Sequence, residues 1–180
     1  RDSSRLLSIV TTSSGEVHTH LRFRDLPDIM DPGDIMILNR TRVIPARIKL
    51  RKDTGGRAEV LVLKKISEFR WEALVGGRNI REGSLLSSSD GVSIEVIKRL
   101  KEGKCVIGIR GDNGVMGYEE VLGWLRNTGR MPTPPYIKRE LEDPEDYQTV
   151  YGDLEGSVAA PTAGLHFTPS LMDRIRKKGM

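Results

Sequence analysis

The sequence predicts a mixed α/β fold, in which a small antiparallel β-barrel is inserted into an α/β domain. Between residues 47 and 112, short apolar segments recur about every 8–12 residues, as is typical of small barrels and sandwiches. The regions on either side contain helical patterns and long polar loops instead. We therefore predict an inserted barrel over 47–112 and an α/β domain made of 1–46 together with 113–180.

The predicted barrel contains five segments of strand character, R-I-K-L-R, A-E-V-L-V-L, W-E-A-L-V, S-I-E-V-I and C-V-I-G-I. Breaks such as D-T-G-G and S-S-S-D-G separate them. The only cysteine, Cys105, opens the last segment, so the chain has no internal disulfide. We expect a buried structural thiol rather than a reactive one.

The N-terminal part predicts a hairpin followed by a buried strand. Residues 6–10 and 17–23 flank the turn sequence T-S-S-G-E, and the second segment alternates strictly. It places His18 and His20 on one face, where a solvated strand face is favoured over a metal site because no third ligand is nearby. The apolar run I-M-I-L-N at 35–39 predicts a strand inside a sheet.

Two helices are predicted after the barrel. Val121, Leu122 and Leu125 recur at helical spacing in Y-E-E-V-L-G-W-L-R-N. The second helix begins near the C-terminus, with Thr168 as the cap and Pro169 at the first helical position.

Composition limits the classes of function. The net charge of +4 permits an RNA partner through phosphate contacts but does not require one. No apolar run approaches the roughly 20 residues of a membrane helix, and no signal peptide is evident, which favours the cytosol. The chain opens on Arg1 and closes on K-K-G-M. We expect sequence to be missing at both ends, a naturally short protein trimmed at its N-terminus being the alternative.

Two stretches have the chemistry of a binding site. N-R-T-R-V-I-P-A-R at 39–47 follows the predicted strand, where polar residues often line a site. V-A-A-P-T-A-G-L-H-F at 158–167 has small residues that let backbone approach a ligand. Thr162 and His166 supply a hydroxyl and an imidazole beside a helix N-terminus, and His166 is suited to general base catalysis near neutral pH. A purely structural histidine is the alternative.

The same stretches belong to a longer series of motifs. The series comprises S-R-L-L near the start, F-R-D-L-P-D and P-G-D at 23–34, T-R-V-I-P-A-R at 41–47, P-P-Y-I-K-R at 134–139, Y-Q-T-V-Y at 147–151 and A-A-P-T-A-G-L-H-F-T at 159–168. Together they resemble the S-adenosylmethionine:tRNA ribosyltransferase-isomerases of queuosine biosynthesis. The last motif is long and unusual in composition, so chance is a poor explanation.

The resemblance implies a specific reaction. S-adenosylmethionine would donate its ribosyl unit to the aminomethyl group of a 7-deazaguanine at the tRNA wobble position, releasing adenine and methionine and giving epoxyqueuosine. It implies tRNA and S-adenosylmethionine as partners, no cofactor beyond that co-substrate, no metal and no membrane. We expect a cytoplasmic monomer.

Roles for individual residues also follow from the resemblance. His166 would transfer protons. Thr162, Thr41 and Asn39 would orient ribose or amine, and Gly164 would allow close approach. The remaining candidates are Arg42 and Arg47 for a phosphate or carboxylate, and Tyr136 and Tyr151 for base stacking, with core packing as the alternative for both tyrosines.

The chain departs from the family pattern in two ways. Arg40 stands where an acidic residue usually follows the asparagine, and the family is about twice this long. Two other functions therefore stay open. One is a non-catalytic RNA-binding fragment, and the other is a paralogue that acts on a different nucleobase.

Overall fold

The computed structural model describes residues 1–134, 136–137, 141 and 143–180. Three residues of the P-P-Y-I-K-R motif, at positions 135, 138 and 139, lie outside the described residues. The strands and α-helices are β1 (Arg5–Thr12), β2 (Gly15–Arg22), β3 (Thr41–Val43), β4 (Arg47–Lys52), β5 (Arg57–Ser67), β6 (Arg70–Gly76), β7 (Leu85–Ser87), β8 (Ser93–Arg99), β9 (Lys104–Gly111), β10 (Gly114–Val115), α1 (Tyr118–Thr128), β11 (Leu154–Ser157) and α2 (Pro169–Lys177).

Six antiparallel strands close into a barrel in the order β9-β6-β5-β4-β7-β8, and β8 pairs back onto β9. The short strand β10 pairs antiparallel with the end of β9, and β3 pairs with β11 in a separate two-stranded sheet. Closure leaves the six strands without free edges, which is how small barrels avoid edge-to-edge association. The predicted class, a mixed α/β fold with a small antiparallel barrel, is confirmed.

The barrel interior follows from the period of two in its strands. Val60 and Val62 on β5 and Ile94 and Val96 on β8 are at most 1% exposed, whereas the residues between them face outward. Cys105 is also buried in this core, as expected for a structural thiol, and burial raises its pKa. Helix α1 adds its apolar side to the same core.

The C-terminal part of α1 is joined to the loop after β7 through Asp90. Its carboxylate accepts hydrogen bonds from the Trp124 indole nitrogen at 2.9 Å and from the Thr128 hydroxyl at 2.7 Å, and the Ser88 hydroxyl also donates to it. Desolvation raises the pKa of Asp90, but these hydrogen bonds outweigh it and lower the pKa to about 2.

We expect Asp90 to make the stability of the barrel sensitive to acid. Because the pKa in the folded chain lies below its usual value near 3.8, the stabilisation is complete above that value. It is lost as pH falls toward about 2. Replacing Asp90 with asparagine should therefore reduce the drop in melting temperature between pH 5 and pH 2.5. Equal drops in the two proteins would contradict this account.

The chain divides into two compact units. The first comprises 1–42, 143–154 and 160–180, and the second, which contains the barrel, comprises 43–142 and 155–159. The domain boundaries proposed from the sequence remain a prediction. Within the described residues, no helix has the length and apolarity needed to cross a membrane.

In the first unit, β1 and β2 form the predicted hairpin, with Leu7 opposite His20 and Ile9 opposite His18. Helix α2 begins as predicted: the Thr168 hydroxyl accepts a hydrogen bond from the Leu171 amide, and a proline follows the cap. The buried side of α2 packs with Phe167 and with apolar side chains from the N-terminal region.

The strand predicted at 35–39 is wrong, because no strand forms there. Met36 and Leu38 pack against the core of the first unit, but Ile35 is 90% exposed and Ile37 is 93% exposed. The segment alternates in burial as a strand does, yet no described part of the chain pairs with its backbone. The apolar composition of 35–39 was therefore not sufficient to predict a strand.

Candidate functional site

The candidate site is built around a short 3₁₀ turn, Thr162–His166, that leads into α2. The turn is closed by a hydrogen bond from the Gly164 amide to the Pro161 carbonyl at 2.7 Å. At its end, Nδ1 of His166 lies 2.9 Å from the hydroxyl of Ser4. The imidazole is half-buried. Among the described residues, none is hydrogen-bonded to its Nε2.

The hydrogen bonds of Ser4 favour one tautomer of a neutral His166. The Ser4 hydroxyl also lies 3.1 Å from the Arg1 carbonyl, which can only accept. A serine has a single hydroxyl proton, so with both bonds formed Ser4 donates to Arg1 and accepts from Nδ1–H of His166. A neutral imidazole held this way leaves Nε2 as a free base.

Aromatic packing holds the turn in place. The Phe23 ring lies 5.3 Å from the His166 ring and 4.9 Å from the Phe167 ring, both measured between centroids. Tyr151 contacts Phe167 edge-on at 5.9 Å. Phe167 is 6% exposed, so it anchors the residue after His166 in the core of the first unit. The direction of the imidazole is therefore set on one side by packing and on the other by Ser4.

Gly164 is where the turn meets the Y-Q-T-V-Y segment. A Cβ at this position would lie 2.2 Å from the Tyr151 hydroxyl oxygen and 2.8 Å from Cγ2 of Thr149. Any side chain is therefore excluded unless both Tyr151 and Thr149 move. Burial raises the pKa of the Tyr151 phenol, so it stays protonated and able to donate near neutral pH.

Thr149 is a residue that sequence reasoning missed. It is 4% exposed, and its hydroxyl has no hydrogen-bond partner within the described part of the chain. Buried hydroxyls without partners are rare and call for an explanation. A Cβ on Gly152 would lie 2.9 Å from this hydroxyl and 3.2 Å from the Thr41 carbonyl, so Thr149 lies beside the N-R-T-R stretch.

Asn39 and Thr41 are engaged with each other. The Asn39 side-chain oxygen accepts from the Thr41 amide at 2.9 Å and from the Thr41 hydroxyl at 2.7 Å. This local pattern fixes the loop after 35–39. It leaves the Asn39 amide nitrogen, which makes no hydrogen bond to any described residue, free to bind a ligand.

Acidic residues of the first unit neutralise Arg40 and Arg42. The Arg42 guanidinium pairs with Glu145, and that of Arg40 forms two hydrogen bonds with Asp153. The Arg40 guanidinium lowers the pKa of Asp153. Because the chain itself compensates the charge of Arg40, that residue alone gives no reason to assign a different acceptor.

The structure brings Thr162, Gly164, His166 and Tyr151 together in the first unit. Thr162 is exposed on the turn. The remaining two candidates belong to the second unit: Arg47 pairs with Glu59 at 2.5 Å on the barrel, and Tyr136 is 76% exposed. The roles of all these residues remain predictions. Among the described residues, no group of three or more metal-ligating side chains occurs.

The contacts of Ser4 and Thr149 were not predicted, although both residues belong to motifs named above. Ser4 begins S-R-L-L, and Thr149 is the central residue of Y-Q-T-V-Y. Ser4 is 162 positions away from His166, and Thr149 is buried by tertiary packing. The motifs therefore identify the segments, but the partners of these two side chains could be found only from the structure.

Comparison with known proteins gives a consistent result over the whole chain. The family model described as "Queuosine biosynthesis protein" matches residues 1–180. The chain is 44% identical over 184 residues to the S-adenosylmethionine:tRNA ribosyltransferase-isomerase of Staphylococcus epidermidis, covering 100% of this chain and 51% of that protein. The enzymes of the same name from Symbiobacterium thermophilum and Aquifex aeolicus are 45% and 39% identical, and this chain covers 51% and 52% of them.

A solved structure also matches. The crystal structure of S-adenosylmethionine tRNA ribosyltransferase from Thermotoga maritima aligns with 24% identity and a TM-score of 0.38, over 99% of this chain and 48% of that one. The chain thus spans about half the length of the curated relatives that it matches.

Proposed function

This chain belongs to the queuosine biosynthesis protein family, and on that basis we propose that it forms part of the active site of an S-adenosylmethionine:tRNA ribosyltransferase-isomerase. The proposed reaction moves the ribosyl unit of S-adenosylmethionine to a 7-aminomethyl-7-deazaguanine at the wobble position of tRNA. The product base is epoxyqueuosine, and adenine and methionine leave. We further propose a cytosolic enzyme, because its two substrates are both cytosolic, and we retain the monomer expected from the sequence as part of the proposal.

The observation that carries this proposal is the free Nε2 of His166. The reaction needs a base to remove a proton from the carbon next to the sulfonium, whose positive charge acidifies that position. His166 holds its Nδ1 proton toward Ser4, so Nε2 is the nitrogen available to accept that proton. The neighbouring Tyr151 hydroxyl and the Asn39 amide are the donors that we assign to orienting the ribosyl and adenine groups.

The test is adenine release, measured by chromatography on the protein expressed from its complete reading frame. S-adenosylmethionine and tRNA carrying the precursor base are supplied together, and the tRNA is then digested and its nucleosides identified by mass spectrometry. We expect adenine and epoxyqueuosine in equal amounts, and neither when the tRNA lacks the precursor. Adenine release with a tRNA that lacks the precursor would instead indicate a paralogue with another acceptor.

A second candidate is an RNA-binding module without catalysis, which the coverage of only about half of each relative favours for the 180-residue chain by itself. Intact mass separates the two cases when the same sample is assayed. A mass near 20.1 kDa without adenine release supports the module. A mass about twice as large with release supports the transferase-isomerase.

We predict that Thr149→Val stabilises the first unit. The Thr149 hydroxyl is buried and has no hydrogen-bond partner among the described residues, and valine removes it while keeping the shape of the side chain. The free energy of unfolding should therefore rise by about 1 kcal/mol, and KM for S-adenosylmethionine should stay the same, because the buried hydroxyl is closed to substrate. A lower melting temperature would contradict this account.

A further inference from the structure

The second unit carries the positive charge of the chain. It contains 19 of the 29 lysines and arginines but 14 of the 25 acidic residues, which gives it a formal net charge of +5, whereas the first unit has −1. Such asymmetry between two parts of a chain is typical of proteins that bind nucleic acid through one of them. The site described above lies in the nearly neutral unit.

One cleft on the barrel collects basic side chains from neighbouring strands. It has a volume of about 820 Å³ and lies between the end of β4, the start of β5 and the loop after β7. Lys49 and Arg51 of β4 and Arg57 of β5 line it, and all three are exposed. Ser87, Ser88 and Ser89 line it as well, and Ser87 is the direct partner of Arg51 in the β4–β7 register.

The three cations are not neutralised within the described residues. None of them forms an ion pair there, and the one acidic residue of the cleft, Glu59, is bound to Arg47. Arg51 and Arg57 are direct partners in the β4–β5 register. Like charges placed opposite each other destabilise a sheet, so this pair weakens the chain unless an anion lies between them.

We propose that this cleft, defined by Lys49, Arg51, Arg57 and the three serines, binds the phosphate backbone of the RNA substrate. Guanidinium and ammonium groups match phosphate oxygens in charge and hydrogen-bonding geometry, and serine hydroxyls are common additional donors to phosphate. Ser87 and Ser89 have hydroxyl protons for this role, whereas Ser88 donates to Asp90. Contacts of this kind fix the position of the RNA without reading its sequence. The inference rests on the proposed function, since it assumes that tRNA is the substrate.

The experiment compares two triple variants of the protein expressed from its complete reading frame. The first combines Lys49→Gln, Arg51→Gln and Arg57→Gln. The matched control removes the same charge from exposed barrel positions outside the cleft, by Arg81→Gln, Lys98→Gln and Lys101→Gln. Binding of labelled precursor tRNA is measured by fluorescence anisotropy at salt concentrations from about 50 to about 300 mM. Over this range, salt progressively weakens contacts between basic side chains and phosphates.

We expect the cleft variant to bind tRNA at least tenfold more weakly than the wild type at about 0.1 M salt. The slope of log Kd against log salt concentration should be smaller by about two to three, because about three phosphate contacts are removed. KM for S-adenosylmethionine should not change, and the control should keep the slope of the wild type. Equal behaviour of the two variants, with a wild type that releases adenine, overturns the cleft proposal alone. A wild type that neither binds tRNA nor releases adenine overturns both this inference and the proposed function.

Discussion

His166→Gln is expected to lower adenine release by about 10²–10⁴-fold, the usual contribution of a general base, with little change in the affinity for S-adenosylmethionine. Glutamine fills a similar volume and still reaches Ser4 with a polar group, but it has no nitrogen that accepts a proton near neutral pH. The comparison therefore removes the base and largely preserves the packing against Phe23. Steady-state kinetics and calorimetric binding of S-adenosylmethionine measure the two effects separately.

Ser4 provides the more specific part of this test. Ser4→Ala removes the acceptor for Nδ1–H, so the imidazole is expected to populate both tautomers and turnover to fall by about tenfold, whereas Ser4→Thr keeps the hydroxyl and most of the activity. The ¹⁵N chemical shifts of His166 report which nitrogen carries the proton. Full turnover in His166→Gln would show that His166 is not the general base. An unchanged tautomer of His166 in Ser4→Ala would show only that Ser4 does not position the imidazole.

The barrel could be predicted because its signal is local. The strand character of β5 and β8 is evident in the short apolar segments A-E-V-L-V-L and S-I-E-V-I, and in the structure burial alternates along both strands. The start of α2 was predictable for the same reason, since a cap and its proline are adjacent in sequence. Such patterns act over a few residues, which is the range that sequence reasoning covers well.

Features that depend on distant partners were not predictable. The run at 35–39 has the composition of a buried strand, but burial requires a neighbouring strand, and no described residue supplies one for Ile35 or Ile37. Asp90 joins α1 to a loop more than 30 positions away, and only the fold reveals why its carboxylate matters. The motif around His166 identified the region of the site, while its hydrogen-bond partner Ser4 could be found only from the structure.

Gly129→Ala is expected to cause the largest loss of stability. Gly129 ends α1, and its amide donates to the Leu125 carbonyl at 2.8 Å. An added Cβ would lie 1.7 Å from the Pro45 carbonyl oxygen and 2.5 Å from that of Leu125, both of them backbone atoms. Its φ of −73° is ordinary for any residue, so the whole effect comes from the lack of space. The adjacent pairing between Arg130 and Arg47 prevents an easy shift of the two segments.

We expect Gly129→Ala to lower the free energy of unfolding by about 3 kcal/mol, in the upper range for overpacking, and the melting temperature by roughly 6–12 °C. Gly123→Ala is the matched control, because Gly123 lies within the same helix and has nothing within 4 Å of its added Cβ. Alanine favours helix there by up to about 1 kcal/mol, so that variant should be neutral or more stable. If Gly129→Ala destabilises the chain while Gly123→Ala does not, the loss is caused by the close approach to Pro45 and not by alanine in this helix. Similar losses at both positions would mean instead that α1 tolerates no change and that the close approach is not its specific constraint.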